Sequence, residues 1–320
     1  MQFFDLIVIG GGISGIFAAL EAKKNGIDNI LILERDSELG GMLNLCIDSG
    51  FGLKPFNENL TGPEFTQKLT DMMLEMKISY KLDTTVIELK KDKTIIAINP
   101  SEGLLELRGK AVVNAVGCVE SARSAVNILG RKLAGIYTIG AAQRLVNTEG
   151  FLPGKEVVIV GTGNYAINMA RRILVEGAKI KAIIQKSEAM LESRINELEV
   201  MSEFPIPVLL NHRVLDITGQ ERVTGVKLAQ IDSNGDVILV SEKVLSCDAI
   251  LLSVDLEPDS KLLKKADIAR LQEKLFTDIE GIFVCGNADF IHKDIDSIIM
   301  DSKIVGDFAS KYIQSGKSKN

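Results

Sequence analysis

The chain has 320 residues, 46% of them apolar, and a formal net charge of −6 at pH 7. That length suits two domains with cores of their own, and the acidic balance, with no basic arm, argues against nucleic acid as a partner. No apolar run nears the roughly 18 residues of a membrane helix, so no membrane insertion is expected.

The N-terminus enters Asp5-Leu6-Ile7-Val8-Ile9 almost at once, with no basic segment of a signal peptide ahead of it, so cytoplasmic residence is expected. An unbroken β-branched run of this kind suits a strand buried on both faces. Gly10-Gly11-Gly12-Ile13-Ser14-Gly15 follows, then a helical segment closed by Gly26, the apolar run Ile30-Leu31-Ile32-Leu33, and Glu34. Beyond Arg35 come Gly40-Gly41 and a loop, 42–63, rich in Gly, Asn and Pro. A helix is expected over 63–77, where Phe65, Leu69, Met72, Met73 and Met76 share a face and suit core packing. Alternating residues over 79–99 predict a small meander, continued by Leu105 and Leu107, before a buried strand over 111–116 that ends at Gly117.

The first pattern then recurs. Val157-Val158-Ile159-Val160 leads into Gly161-Thr162-Gly163-Asn164-Tyr165-Ala166, a helix, Gly177, an apolar run over 180–184, and Gln185. In both copies the helix-closing glycine lies 16 positions after the first glycine, and the residue ending the second strand lies 24 after it. One glycine loop is a weak signal. Two strand–loop–helix–strand units with matched spacing predict two dinucleotide-binding modules. In each, the first glycine makes the tight turn and the second lets backbone approach a pyrophosphate. Gly15 or Ala166 lets helix and strand pack closely. The helix N-terminus offers unpaired N–H groups to phosphate, and Glu34 is suited to accept from a ribose diol. The second module is expected to carry its own meander over 208–239 and a closing strand over 249–252. A helical connector is expected over 259–276, then a short strand ending at Gly286-Asn287 and a last helix over 295–313.

Cys46, Cys118, Cys247 and Cys285 form no local pair, there are two histidines, and no G-x-S-x-G is present. Neither a local redox disulfide, a metal site nor a serine hydrolase is spelled out, so a bound cofactor must carry the chemistry.

Gly10, Gly12, Gly15, Glu34, Gly40-Gly41, Ala115-Val116-Gly117, the second glycine loop and Gly286-Asn287 together resemble the two-dinucleotide-binding flavoproteins, the superfamily of thioredoxin reductase and the pyridine nucleotide–disulfide oxidoreductases. The resemblance implies an α/β fold with two Rossmann-like, three-layer ββα domains, the second inserted into the first. Residues 1–118 and 253–320 would bind FAD, and residues 119–252 NAD(P). It implies FAD contacts at Gly10, Gly12, Ile13, Ser14, Gly15, Glu34, Arg35, Gly41, Met42, Val86, Ala115, Gly117, Gly286 and Asn287, where Asn287 stands in place of the usual Asp. NAD(P) contacts are implied at Gly161, Gly163, Asn164, Tyr165, Ala166, Gln185 and Lys186, with Lys181 as a further candidate for a 2′-phosphate. Gln185 replaces the usual ribose-binding Glu.

The stretch from Gly40 to Leu53, with Leu60-Thr61-Gly62-Pro63-Glu64, is similar to flavoproteins that accompany glycerol-3-phosphate or amino-acid dehydrogenase subunits. That likeness implies electron transfer between NAD(P)H and a partner dehydrogenase or iron–sulfur subunit through FAD, with homo-oligomers also open. Cys46 reads as a packing residue, a lone redox thiol being the alternative. His292 reads either as a flavin-tuning group or as a surface-loop histidine. Two other functions stay open: a lone-cysteine NADH oxidase or peroxidase, and a scaffold subunit with a vestigial NAD(P) site.

Overall fold

A computed structural model describes residues 1–121, 133–161, 164–187, 204, 206–271 and 275–316. The chain divides into two compact units, Met1–Val119 with Leu256–Asn320, and Glu120–Asp255. The boundaries read from sequence are displaced by one residue at the entry and three at the exit. The apolar run ends at Leu252, but the inserted unit continues: the Ser253 N–H donates to Val160 O at 2.8 Å, and Asp255 O accepts from the Ser121 N–H at 2.7 Å.

In chain order, the first unit begins with β1 (Gln2–Ile9), α1 (Ile13–Lys24), β2 (Ile30–Leu33), α2 (Gly62–Glu75), β3 (Ser79–Lys81), β4 (Thr85–Leu89), β5 (Thr94–Asn99) and β6 (Gly103–Asn114). The second contains β7 (Ile136–Thr138), α3 (Ile139–Asn147), β8 (Glu156–Val160), α4 (Asn164–Val175), β9 (Lys179–Ile184), β10 (Val208–Leu209), β11 (His212–Gly219), β12 (Val223–Gln230), β13 (Lys243–Ser246) and β14 (Ala249–Leu252). The return to the first unit supplies β15 (Ile282–Val284) and α5 (Ile295–Gln314).

The sheet of the first unit runs β3-β2-β1-β6-β5-β4, with β15 also paired to β6. β3, β2, β1, β6 and β15 are parallel neighbours, whereas β6, β5 and β4 are antiparallel. Both expected strands around residue 110 are thus one 12-residue strand. Its first half closes the meander and its second half joins the parallel sheet, the two ladders overlapping at Leu107-Arg108. Period-two alternation sorts the faces. Leu6 and Val8 pack towards α1 and α5, while Ile7 and Ile9 pack with Leu89, Ile95 and Leu107 of the meander. Three layers result. Met73 is fully buried beneath α2, and Met72 and Met76 pack against the same core, as their spacing predicts.

The second unit repeats the plan. Its parallel sheet runs β7-β14-β8-β9-β10, and β11-β12-β13 form a separate antiparallel meander. Val157 and Ile159 pack with Ile173 and Ala170, whereas Val158 packs with Val214 and Val226. Two expectations are corrected here. Val208-Leu209 joins the parallel sheet, so the meander spans His212 to Ser246 instead of 208–239. The helical connector shrinks to Lys261–Lys265, because Asp267 takes a left-handed φ of 52° that no continuing helix accepts.

Candidate functional site

The first glycine turn lies at the C-terminal edge of the parallel sheet, where open α/β sheets bind ligands. Gly10 takes φ 107°, and an added Cβ would lie 2.4 Å from Ala115 O. At Gly15 a Cβ would lie 1.9 Å from Gly10 O, so α1 seats directly on the turn only because that residue has no side chain. Gly12, the N-cap of α1, has a different environment. The nearest atom to its virtual Cβ is Gly40 O at 4.0 Å, and at Gly117 nothing lies within 4 Å. The N-cap makes no side-chain hydrogen bond, and no acidic residue occupies the first turn of α1. An open strip of backbone beside an uncapped helix N-terminus is a fitting place for a pyrophosphate.

Glu34 directly follows β2 and is only 6% exposed. The Gly11 N–H donates to its Oε2 at 2.6 Å and the Asp36 N–H donates to its Oε1 at 2.9 Å. Two backbone donors fix the carboxylate, and each oxygen keeps acceptor capacity for hydroxyl groups. Ser14 lies under Gly286, where a Cβ would sit 1.9 Å from Ser14 Oγ. The late Gly-Asn pair is thereby drawn to the start of α1. Ala115 is buried, Ile13 opens α1, and Val86 is a half-buried residue of β4. Arg35 and Met42 are exposed, and Arg35 lies 3.9 Å from Asp36. Gly40 donates its N–H to Gly11 O at 2.8 Å, which ties the second glycine pair to the first and sets Gly41 beside Gly12.

Asn114, missed in the sequence, is fully buried between Ile9 and Val284 on the neighbouring strands, and neither its Oδ1 nor its Nδ2 has a hydrogen-bond partner. An unpaired buried amide costs about 1–3 kcal/mol per group. It stands directly before Ala115 at the same edge, and a polar ligand there would satisfy it. Its signal was a lone amide in the run Val112-Val113-Asn114-Ala115-Val116. The open glycine strip, the held carboxylate and this amide fit a dinucleotide such as FAD.

His292 is not a surface histidine. Its side chain is 1% exposed, with Nδ1 3.0 Å from Asn287 Oδ1 and Nε2 2.8 Å from Asp301 Oδ2. Asp301 is the second residue that sequence patterning missed, because nothing in the α5 sequence marks it among the other acidic residues. Cys46 donates its Sγ–H to Met42 O at 3.4 Å, and burial, then the Asp48 charge, pushes its thiol up to about 11. None of the four cysteines is in a disulfide. Burial raises Cys247 to about 11 and Cys285 to about 12.

The second unit reproduces the turn at the same offsets. Gly10 N–H donates to Leu33 O and Gly161 N–H to Ile184 O, both at 2.8 Å. Beyond the helices, Ile27 N–H donates to Ala22 O and Ala178 N–H to Ile173 O, both at 3.1 Å. Gly161 has φ 95°, and its virtual Cβ would meet Ser253 O at 2.9 Å, as that of Gly10 meets Ala115 O. Gly163 lies outside the described residues. Asn164 and Tyr165 open α4, and Ala166 is fully buried against the sheet. Gln185 donates Nε2–H to Ser187 Oγ at 2.9 Å, and Lys186 follows in a bend. Lys181 is corrected: its ammonium lies 3.3 Å from Glu156 at the start of β8, the opposite end of that strand from the glycine turn.

Two units built in this way define a Rossmann-type flavoprotein oxidoreductase. The chain belongs to the pyridine nucleotide-disulphide oxidoreductase family, which it matches over residues 4–300. It is 24% identical to the thioredoxin reductase of Listeria innocua over 99% of this chain and 96% of that one. It is 23% identical to an opine oxidase subunit of Rhizobium meliloti, covering 80% of this chain and 52% of the relative. The crystal structure of T. acidophilum thioredoxin reductase superposes with a TM-score of 0.74 at 19% identity, covering 99% of both chains. No helix among the described residues is long and apolar enough to cross a membrane.

Proposed function

We propose that the protein is an FAD-dependent NAD(P)H oxidoreductase that passes electrons between a nicotinamide and a partner dehydrogenase or other acceptor, without a redox disulfide. The observation that carries this reading is the glycine turn built twice with the same hydrogen bonds, one copy beside a fixed carboxylate and the other beside an amide. In the first unit, Gly12 and Gly41 would approach the pyrophosphate, Glu34 would receive the ribose hydroxyls, and Asn114 and Asn287 would meet polar groups beyond. When bound, FAD supplies the two-electron chemistry. In the second unit, Gln185 and Lys186 would flank the nicotinamide nucleotide's adenosine ribose.

The partner-linked reading draws on the likeness to the opine oxidase polypeptide, a protein named as one subunit of an enzyme. A glycerol-phosphate or amino-acid dehydrogenase, or an iron–sulfur subunit, fits that reading. The raised Cys46 thiol speaks against the lone-cysteine oxidase, since a reactive cysteine needs a thiolate.

The test is flavin content followed by anaerobic stopped-flow reduction. Wild type should purify yellow or take up FAD, while Gly12→Val and Glu34→Ala should stay colourless. NADH and NADPH should each bleach the flavin. A wild type that never takes up FAD overturns the reading. Flavin that neither nucleotide reduces leaves a partner-fed protein with a repurposed second site.

A further inference from the structure

The contacts around His292 fix the identity of every polar atom in them. Asn287 Oδ1 accepts the main-chain N–H of His292 at 3.0 Å. A main-chain nitrogen only donates, so that amide atom is oxygen and the other is the NH2 group. The same Oδ1 lies 3.0 Å from His292 Nδ1, and the opposite ring nitrogen lies 2.8 Å from the Asp301 carboxylate. Asn287 Oδ1 can only accept, and the Asp301 group, as a carboxylate, likewise accepts. A neutral imidazole has one N–H and would leave one contact as two facing lone pairs. A ring protonated on both nitrogens satisfies both.

We propose that His292 is a positioning residue held as an imidazolium between Asn287 and Asp301, so that position 287 presents an NH2 group, not an oxygen, to the bound cofactor. Both lone pairs of Oδ1 are used, one by the main chain and one by the ring. What remains is Nδ2, which faces the Cys118 thiol at 3.9 Å and has a second hydrogen to give. Asp294, two residues on, accepts the Ser297 N–H at 2.8 Å. Asp289 accepts the Leu275 N–H at 3.0 Å and lies 3.7 Å from Arg270, and Asp296 pairs with Lys54 at 2.9 Å. Asp301 is thus the carboxylate that faces the ring, and the Phe290 ring stacks against it at 4.0 Å between centroids. The family's usual Asp at position 287 would accept where this chain donates. The donor role rests on the FAD reading above; the ring's two protons do not.

The chain has two histidines, so nitrogen-15 spectra of protein labelled at histidine contain two rings, and His292→Gln assigns them by removing one. At neutral pH the His292 ring should show a one-bond proton coupling on both nitrogens, with or without FAD. A ring with one bare nitrogen overturns the proposal. Asp301→Asn should return the ring to one proton and weaken FAD binding about tenfold, the order expected for loss of a charge-assisted hydrogen bond. Asn287→Asp should keep the ring doubly protonated and leave the melting temperature unchanged, yet also weaken FAD about tenfold, because the NH2 is gone. FAD bound to Asn287→Asp as tightly as to wild type overturns the donor assignment. A wild type that binds no FAD defeats the cofactor reading instead, while the ring spectrum still decides the charge of His292.

Discussion

Cys46 follows the glycine pair where a redox sulfur would be useful, yet its surroundings deny it that chemistry. A thiol pushed up to about 11 is roughly one part in ten thousand thiolate at pH 7. Cys46→Ser should therefore leave nicotinamide-driven flavin reduction within a few-fold of wild type in stopped flow. Alkylation of Cys46 by iodoacetamide, followed by mass spectrometry, should accelerate about tenfold per pH unit between pH 7 and 10, with no plateau. A plateau near neutrality would mark a reactive thiol. Gln185 occupies the position of Glu34 in the second turn, but it gives its NH2 to Ser187 Oγ and has one acceptor oxygen in place of a carboxylate's two. Gln185→Glu should restore an acceptor for a ribose diol and repel a 2′-phosphate. The kcat/KM ratio of NADH over NADPH should then rise by about tenfold, roughly 1.4 kcal/mol in transition-state terms. An unchanged ratio would remove Gln185 from the nucleotide site.

Among the elements, α2 shows how local chemistry and packing agree. Thr61 caps it with a reciprocal box: the Thr61 N–H donates to Glu64 Oε2 at 2.7 Å, and Thr61 Oγ1 accepts from the Glu64 N–H. The Thr61 N–H bond, and then a second bond that the Thr61 hydroxyl donates to the same Oε2 at 2.8 Å, hold the Glu64 carboxyl below the usual glutamate range. A depressed carboxyl stabilises the fold above its ordinary value and loses that contribution as pH falls through the lowered one. Thermal melts of wild type and Glu64→Gln should thus differ at pH 7 and converge in acid. Thr61→Ala should lose about 1 kcal/mol at neutral pH, read by urea titration. The box was legible in Thr61-Gly62-Pro63-Glu64, as were both glycine turns, because each depends on residues close in sequence. Partnerships outside such short motifs were not. Asn114 is marked by what two strands distant in sequence, β1 and β15, fail to offer it. His292 owes its burial to Asp301 on α5 and to the stacked Phe290. β6 was read as two strands, because Arg108-Gly109-Lys110 separates the apolar residues of its two halves.

At the scale of the molecule, the inserted unit begins and ends at neighbouring residues, since Ser121 and Asp255 share a 2.7 Å hydrogen bond. A variant joining Val119 to Leu256 through a short glycine linker should therefore fold and take up FAD, yet show no bleaching by either nicotinamide. Flavin absorbance and circular dichroism test the first part, and stopped flow the second. An insoluble product would show that the first unit depends on the second. The doubled plan was legible because both units write it in the same spacing. The exact borders were not, since Ser253 and Asp255 at the end of the inserted unit are held by main-chain hydrogen bonds that any side chains could make.

The pairing of β15 with β6 sets a timetable for synthesis. β1, β2 and most of the first sheet leave the ribosome early, but the strand that flanks Asn114 on its far side, Ile282–Val284, emerges only after the whole inserted unit. Until then the second half of β6 waits with an open edge and a buried-to-be amide facing water. The inserted unit, contiguous in the chain, is free to fold first and so gather the two ends of the unfinished one. A nascent chain stalled before residue 282 would hold a finished second turn and an incomplete first, and would acquire its flavin site only with its last forty or so residues.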